Sequence, residues 1–215
     1  SVLESRNALL RQDKLQGVSD FANQLDAWDE QLANAAVPIV RSRRWFLREL
    51  SENSSREYAA ISENPDEPFS LFYVGPLAQS DAPYEQMLAG LRRNREEDRR
   101  RMYTTFGPHR DDVGLQLFGR DLRAMGSQGQ LRTAVLSMKL GEIRLIEKEM
   151  GESPTLLLDD VFSELDAKRR NALFKSAAPL QTFITCTDRQ DAAGARADCF
   201  LRVTPTPEGT VLRRE

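Results

Sequence analysis

The stretch from Gly126 to Asp166 constrains this chain more than any other, because it sets a helix start, a buried strand and two adjacent acids in a fixed order. Ser127-Gln128-Gly129-Gln130 opens it. Leu131, Ala134, Val135, Met138, Leu145 and Ile146 then recur at helical spacing, which predicts a helix starting just after the loop with Ser127 as its N-cap. Gln130, three residues on, completes a capping box. A helix start carries partial positive charge and free N–H groups, and Gly129 lets a ligand come close to the backbone, so a phosphate fits there. Thr155 to Leu158 is apolar at successive residues, as in a strand buried on both faces, and stops at Asp159-Asp160. Ligands of open α/β sheets bind beyond the carboxyl ends of strands, where these two acids would meet a nucleotide-bound magnesium ion. Neighbouring strand residues point to opposite faces, so both acids serve one site only if the chain turns at Asp160, and Val161-Phe162-Ser163 suits that turn.

Composition matters here mainly for what it excludes. Lys and Arg number 30 against 33 Asp and Glu, a net charge of −3, so bulk charge does not mark a nucleic-acid binder and any basic surface must be local. No apolar run reaches spanning length and no signal peptide is present, which argues against a membrane. Cys186 and Cys199 match no metal spacing, and a reducing cytoplasm is the simplest setting. The chain opens at Ser1 without an initiator Met and inside a helical pattern (Val2, Leu3, Arg6, Leu9, Leu10), as expected of a piece of something longer.

The leading helix runs through about Asp13 and turns at Gln16-Gly17-Val18. From Ser19, a possible cap, Leu25, Trp28, Leu32, Ala35, Ile39, Phe46 and Leu50 predict a long amphipathic helix antiparallel to it. Pro38 predicts a kink or break near Asn34 to Pro38. After the polar span Ser62 to Pro68, Phe69 to Val74 reads as a strand, and Ser80 or Asp81 caps a helix from about Pro83 to Met102. Its second half, Arg92 to Arg101, holds six arginines and three acids. Such a run can track phosphates through Arg92, Arg95 and Arg99, or be a solvated face of internal Glu–Arg pairs. Beyond the turn-rich Gly107 to Asp112, Val113, Leu115 and Leu117 break at Gly119 and return through Leu122 as a hairpin. Downstream, Arg169 to Ala177 reads as a helix, Thr182 to Thr185 as a buried strand, and Phe200 to Val203 with Thr210 to Arg213 as a closing hairpin.

A capping box is common, and so is an apolar run ending in two acids. Together, in this order, and followed by Ser163-Glu164-Leu165-Asp166, they resemble the signature motif, Walker B strand and D-loop of ABC-type ATPases of chromosome maintenance. Within that group the chain resembles the RecF family of bacterial recombinational repair proteins. Ser5 to Leu10, Trp28 to Leu32, Gly107 to Asp112, Ser127 to Gln130 with Arg132-Thr133-Ala134, and Leu156 to Asp166 carry the likeness in order. The implied fold is α/β: the C-terminal part of an ABC-type ATPase lobe (104–215) with an inserted antiparallel helical arm (1–103). The resemblance implies an ATP-dependent homodimer that binds DNA and promotes recombinase loading with RecR, RecO and RecA. By the same resemblance, Asp159 holds Mg²⁺ and Asp160 orients or deprotonates the attacking water. Ser127, Gln128, Gly129 and Gln130 meet the γ-phosphate of ATP held by the other subunit, and Asp166 couples the two sites. Geometry allows such sharing, since a helix of about 20 residues runs roughly 30 Å from the loop while a six-residue strand returns only about 20 Å.

Two features depart from that family's group. Thr187 stands where many ABC ATPases carry a γ-phosphate-sensing histidine, and the lone histidine, His109, fits a fixed hydrogen-bonding group better than a catalyst. No Gly-x-x-x-x-Gly-Lys-[Ser/Thr] loop is present, so half of a nucleotide site is missing and this stretch by itself is not expected to turn over ATP. A transporter-type nucleotide-binding subunit and a non-enzymatic helical interaction module are the competing readings. The first expects histidine at Thr187; the second expects Asp159 to be dispensable.

Overall fold

The computed structural model describes residues 1–62, 64, 66–161, 165–188, 192, 197–207 and 209–214. Ser163 and Glu164 of the D-loop-like segment, with Phe162, lie outside them.

Helix α1 (Val2–Gln16) starts in a capping box formed by Ser1 and Glu4. Helix α2 (Phe21–Ser62) is 42 residues long and runs through Pro38, so of the kink or break expected near Asn34 to Pro38 the break does not occur. The reason is exposure: Pro38 and Asn34 both lie on the solvent side, so the carbonyl that loses its helical donor can turn to water. The buried stripe also differs from the expected one. Leu25, Asp29, Leu32, Ala36, Val40, Leu47 and Leu50 face inward, with Tyr58 and Ile61 further on, whereas Ile39 and Phe46 are exposed.

Strand β1 (Phe69–Val74) pairs antiparallel with β2 (Asp112–Leu117), Leu71 opposite Leu115, and β2 also pairs with the two-residue β3 (Arg120–Asp121). The expected return strand is therefore short, because Leu122 already opens helix α5 (Leu122–Met125) under an Asp121 cap. The expected Pro83 to Met102 helix is two: α3 (Pro83–Arg93) and α4 (Arg95–Arg101). Asn94 interrupts them by turning its side-chain amide back onto the Gly90 carbonyl at 2.7 Å. Neither Ser80 nor Asp81 caps α3; its N-cap is Ala82, without a side-chain bond, and Ser80 is buried with its carbonyl receiving Arg44.

Helix α6 (Gln128–Met150) packs along α2, filling one core with Ile61, Leu136, Leu140 and Ile143 against Leu156, Leu158 and Leu173. The closest approach is at Gly141, where a Cβ would lie 2.8 Å from the Ser54 backbone nitrogen and 3.1 Å from its Cα. Backbone cannot give way as a flexible side chain can. Gly141→Ala is expected to destabilise by about 1–3 kcal/mol through overpacking despite alanine's better helix propensity, read from the denaturation midpoint. An unchanged or raised midpoint would mean that α2 and α6 sit further apart.

Strand β4 (Leu156–Asp159) pairs in parallel with β5 (Thr182–Thr185), Asp159 beside Thr185, and α7 (Ala167–Ala177) connects them. Burial on both faces does not hold. Leu158 is 7% exposed but Leu157 is 72% and Phe183 57% exposed, because α6 and α7 cover one face of the pair and no described element covers the other. Strands β6 (Leu201–Thr206) and β7 (Gly209–Arg214) form the expected closing hairpin, Val203 opposite Leu212.

Candidate nucleotide site and its arginine supports

The capping box at the start of α6 is present. Ser127 Oγ accepts from the Gln130 N–H at 3.2 Å, and Gln130 Oε1 accepts from the Ser127 N–H at 2.9 Å. At a helix start the N–H groups of Gln128 and Gly129 have no intrahelical acceptor, so an exposed pair of donors sits at the positive end of a 23-residue helix. The residues present fit an anionic oxygen there.

Asp159 ends β4, and Asp160 takes up a left-handed conformation with φ +47°. The chain thus turns where two neighbouring acids need it to turn if they are to serve one site. Thr185, at the matching position of the parallel neighbour, ties both down: its hydroxyl donates to Asp159 Oδ1 and accepts from the Asp160 N–H at 3.1 Å. Both aspartates are exposed. Among the described residues no three or more His, Cys, Asp or Glu cluster as a ready-made metal cage. Two carboxylates at a strand end suit Mg²⁺, which keeps several waters and draws its other ligands from phosphate.

Asp166 caps α7 by accepting from the Arg169 N–H at 2.8 Å and pairs with Arg169 Nη1 at 2.6 Å. That N–H, followed by the guanidinium charge, holds the Asp166 carboxyl below the ordinary aspartate range. Arg169 reaches the other half of the site as well. A Cβ on Gly129 would lie 3.2 Å from Arg169 Nη1, so the glycine makes room for the guanidinium. One side chain therefore touches the loop at α6 and the acid before α7, and its Nε is buried with no hydrogen-bond partner among the described residues. Neither Thr185 nor Arg169 stood out in the sequence. The available signals were weak: a threonine in register with Asp159, and an arginine three residues after an N-cap aspartate.

The basic run is held internally. Arg95 donates to Asp29 at 2.6 and 3.0 Å and pairs with Asp26; Arg99 donates to Asp13 at 2.5 Å and lies over the Phe21 ring. Arg92 is 3.8 Å from Asp26. Of the three, Arg92 and Arg99 keep about half of their side chains exposed (52% and 56%), against 26% for Arg95. His109 Nε2 sits 3.0 Å from the Thr104 carbonyl oxygen, the fixed hydrogen bond expected of it.

No family model matches the chain. It is 41% identical over 191 residues to the DNA replication and repair protein RecF of Alkaliphilus oremlandii, covering 86% of this chain and 51% of that protein. To RecF of Symbiobacterium thermophilum it is 40% identical over 219 residues, covering 98% of this chain and 56% of that protein. The chain thus spans about half the length of the curated relatives it matches. Among solved structures, the recombination mediator protein RecF-ATP in the RecFOR pathway aligns with a TM-score of 0.82 at 30% identity, over 100% of this chain and 56% of that one. The RecF-ATPrS form gives 0.79 at 33%, over 94% and 54%. An Smc head bound to the winged-helix domain of ScpA gives 0.50 at 14% and shows the shared ABC-type fold alone. With sequence, order of elements and fold in agreement, the chain belongs to the RecF family.

Proposed function

We propose that the chain supplies the signature-loop and acid-bearing halves of an ATP site shared between two subunits of a DNA repair ATPase. The observation that carries the proposal is the split geometry: an anion-ready helix start at Ser127 to Gln130, and two aspartates fixed by Thr185 at the end of β4. In this reading Asp159 holds Mg²⁺ and Asp160 orients or deprotonates the attacking water. Ser127, Gln128, Gly129 and Gln130 receive the γ-phosphate of ATP held by the partner subunit. Arg169 links that loop to Asp166 and so transmits occupancy from one to the other. The magnesium ion neutralises charge on the phosphates, while the protein positions and stabilises.

The rest of the proposal follows the family. The working protein is a cytoplasmic homodimer on ATP, binds DNA, and promotes recombinase loading with RecR, RecO and RecA. The division into an arm (1–103) and an ATPase portion (104–215) is one of role in this reading and not of separately folded units, because β1 and β2 pair across it. The exposed face of Leu157 and Phe183 takes further sheet from the full-length protein. No helix among the described residues is long and apolar enough to cross a membrane.

The test is sedimentation of the full-length family member carrying this chain. With a slowly hydrolysed ATP analogue and Mg²⁺, a monomer is expected to become a dimer, and Ser127→Arg, which fills the helix start, is expected to abolish that shift while leaving analogue binding to the monomer intact. Dimers that form equally without nucleotide, or in the Ser127 variant, would contradict the shared site.

A further inference from the structure

Arg95 and Arg99 of α4 are occupied by Asp26, Asp29 and Asp13, but the arginines beside the end of the helix are arranged differently. Arg101, Tyr103 and Arg110 surround an open cavity of about 320 Å³, whose other walls are Asn94, Glu97 and Thr105. Arg110 stacks over the Tyr103 ring at 4.8 Å, and among the described residues no ion pair engages it. Arg101 Nη1 donates to the Tyr103 hydroxyl at 3.2 Å. The lining holds one carboxylate, Glu97, which Arg101 shares with Arg100 from outside the cavity. Cationic charge is therefore in excess.

The platform beneath is built from buried charge. Thr104 is held by Arg6 at 2.8 Å and by the Asn7 side chain at 2.7 and 2.8 Å, and Asp98 accepts from the N–H and hydroxyl of Thr105 at 2.8 and 2.6 Å. Networks of this kind add little net stability relative to apolar packing; where they are retained, fixed geometry is the gain. Here they fix the backbone just after Tyr103, and the tyrosine in turn pre-orders the Arg110 fork. Rigid stacked guanidinium groups suit phosphate oxygens, which they meet two donors at a time.

We propose that Arg101, Tyr103 and Arg110 form a binding site for a phosphodiester group of duplex DNA. The proposal rests on the DNA-binding reading above and names its surface. Arg110 and Arg101 donate to the phosphate oxygens. Tyr103, whose hydroxyl the Arg101 hydrogen bond makes more acidic than an ordinary tyrosine, donates a third bond. Arg92, Arg95 and Arg99 support the platform, with Arg92 and Arg99 open to further phosphates only in competition with their aspartates.

The experiment is fluorescence anisotropy of labelled duplex DNA with the full-length protein and MgATP at several salt concentrations. Arg110→Ala is expected to weaken binding roughly three- to tenfold near physiological salt and to lower the slope of log affinity against log salt by about 0.9, the signature of one lost phosphate contact. Tyr103→Phe, which keeps the ring but not the hydroxyl, is expected to weaken binding without changing the slope. Wild-type binding with an unchanged slope in Arg110→Ala overturns this site and leaves the DNA reading standing. Failure of the wild type to bind duplex DNA overturns both. If Arg110→Ala instead loses MgATP affinity and keeps its DNA slope, the cavity serves a free nucleotide phosphate and the proposal fails.

Discussion

Arg6→Ala is expected to cost about 3–5 kcal/mol of folding stability, the loss typical of removing one partner from a buried ionic network. Arg6 is fully buried, as are the Asp29 and Asp98 side chains it joins at 2.7 and 2.8 Å. Without it Asp98 is left inside the protein with Thr105 as its only donor among the described residues, while Asp29 retains Arg95. A domain's whole stability is about 5–15 kcal/mol, so the variant should lie near the folding threshold, with its denaturation midpoint lowered accordingly. Arg6→Lys, which keeps the charge but cannot span two carboxylates and Thr104 with one fork, should fall between the two. A midpoint unchanged in both variants would show that the network is dispensable. Acid should have a related but smaller effect. The Arg95 hydrogen bond holds the Asp26 carboxyl below its ordinary value, so that pairing contributes fully above the unfolded aspartate range and is lost as pH falls through the lowered value.

The second large effect concerns chemistry. In the full-length protein Asp160→Asn is expected to lower ATP turnover by about 10²–10⁴-fold, the usual contribution of a general base, with little change in nucleotide affinity. Asparagine fits the same turn, since it tolerates the left-handed backbone that Asp160 adopts at φ +47°. The backbone N–H that bonds Thr185 is also retained. Single-turnover hydrolysis beside equilibrium binding separates the outcomes: wild-type hydrolysis would move the base elsewhere, and lost binding would make Asp160 a ligand-holding residue.

Local rules carried much of this fold. The Ser127 and Gln130 capping box, the helix behind it, the strand ending at Asp159 and the turn at Asp160 were legible because each depends on neighbours within a few residues. What the sequence hid depended on distance along the chain. Arg95 and Arg99 read as candidate phosphate contacts because their partners, Asp29 and Asp13, lie 66 and 86 residues away. Thr185 stands 26 residues from the Asp159 it bonds, and nothing in a four-residue apolar strand marks its hydroxyl. Pro38 left kink and break open for a simpler reason: a proline signals a lost donor, but whether the helix breaks depends on whether the orphaned carbonyl meets water. Apolar runs such as Leu156 to Leu158 report hydrophobicity, not which of their faces is covered, so the exposure of Leu157 and Phe183 could not be read from them.

The central claim, that the helix start at Ser127 and the acid at Asp160 act on one ATP from two different subunits, is tested most directly by mixing. Ser127→Arg and Asp160→Asn, each inactive alone, are combined as full-length proteins and ATP turnover is measured. In each mixed shared-site dimer one of the two sites then contains wild-type Asp160 from the first variant and wild-type Ser127 from the second, so each mixed dimer should regain about half the turnover of a wild-type dimer and the mixture should rise well above either variant alone. If both groups act within a single subunit, every site in the mixture carries a defect, and turnover that stays at the level of the separate variants while mixed dimers form would contradict the account.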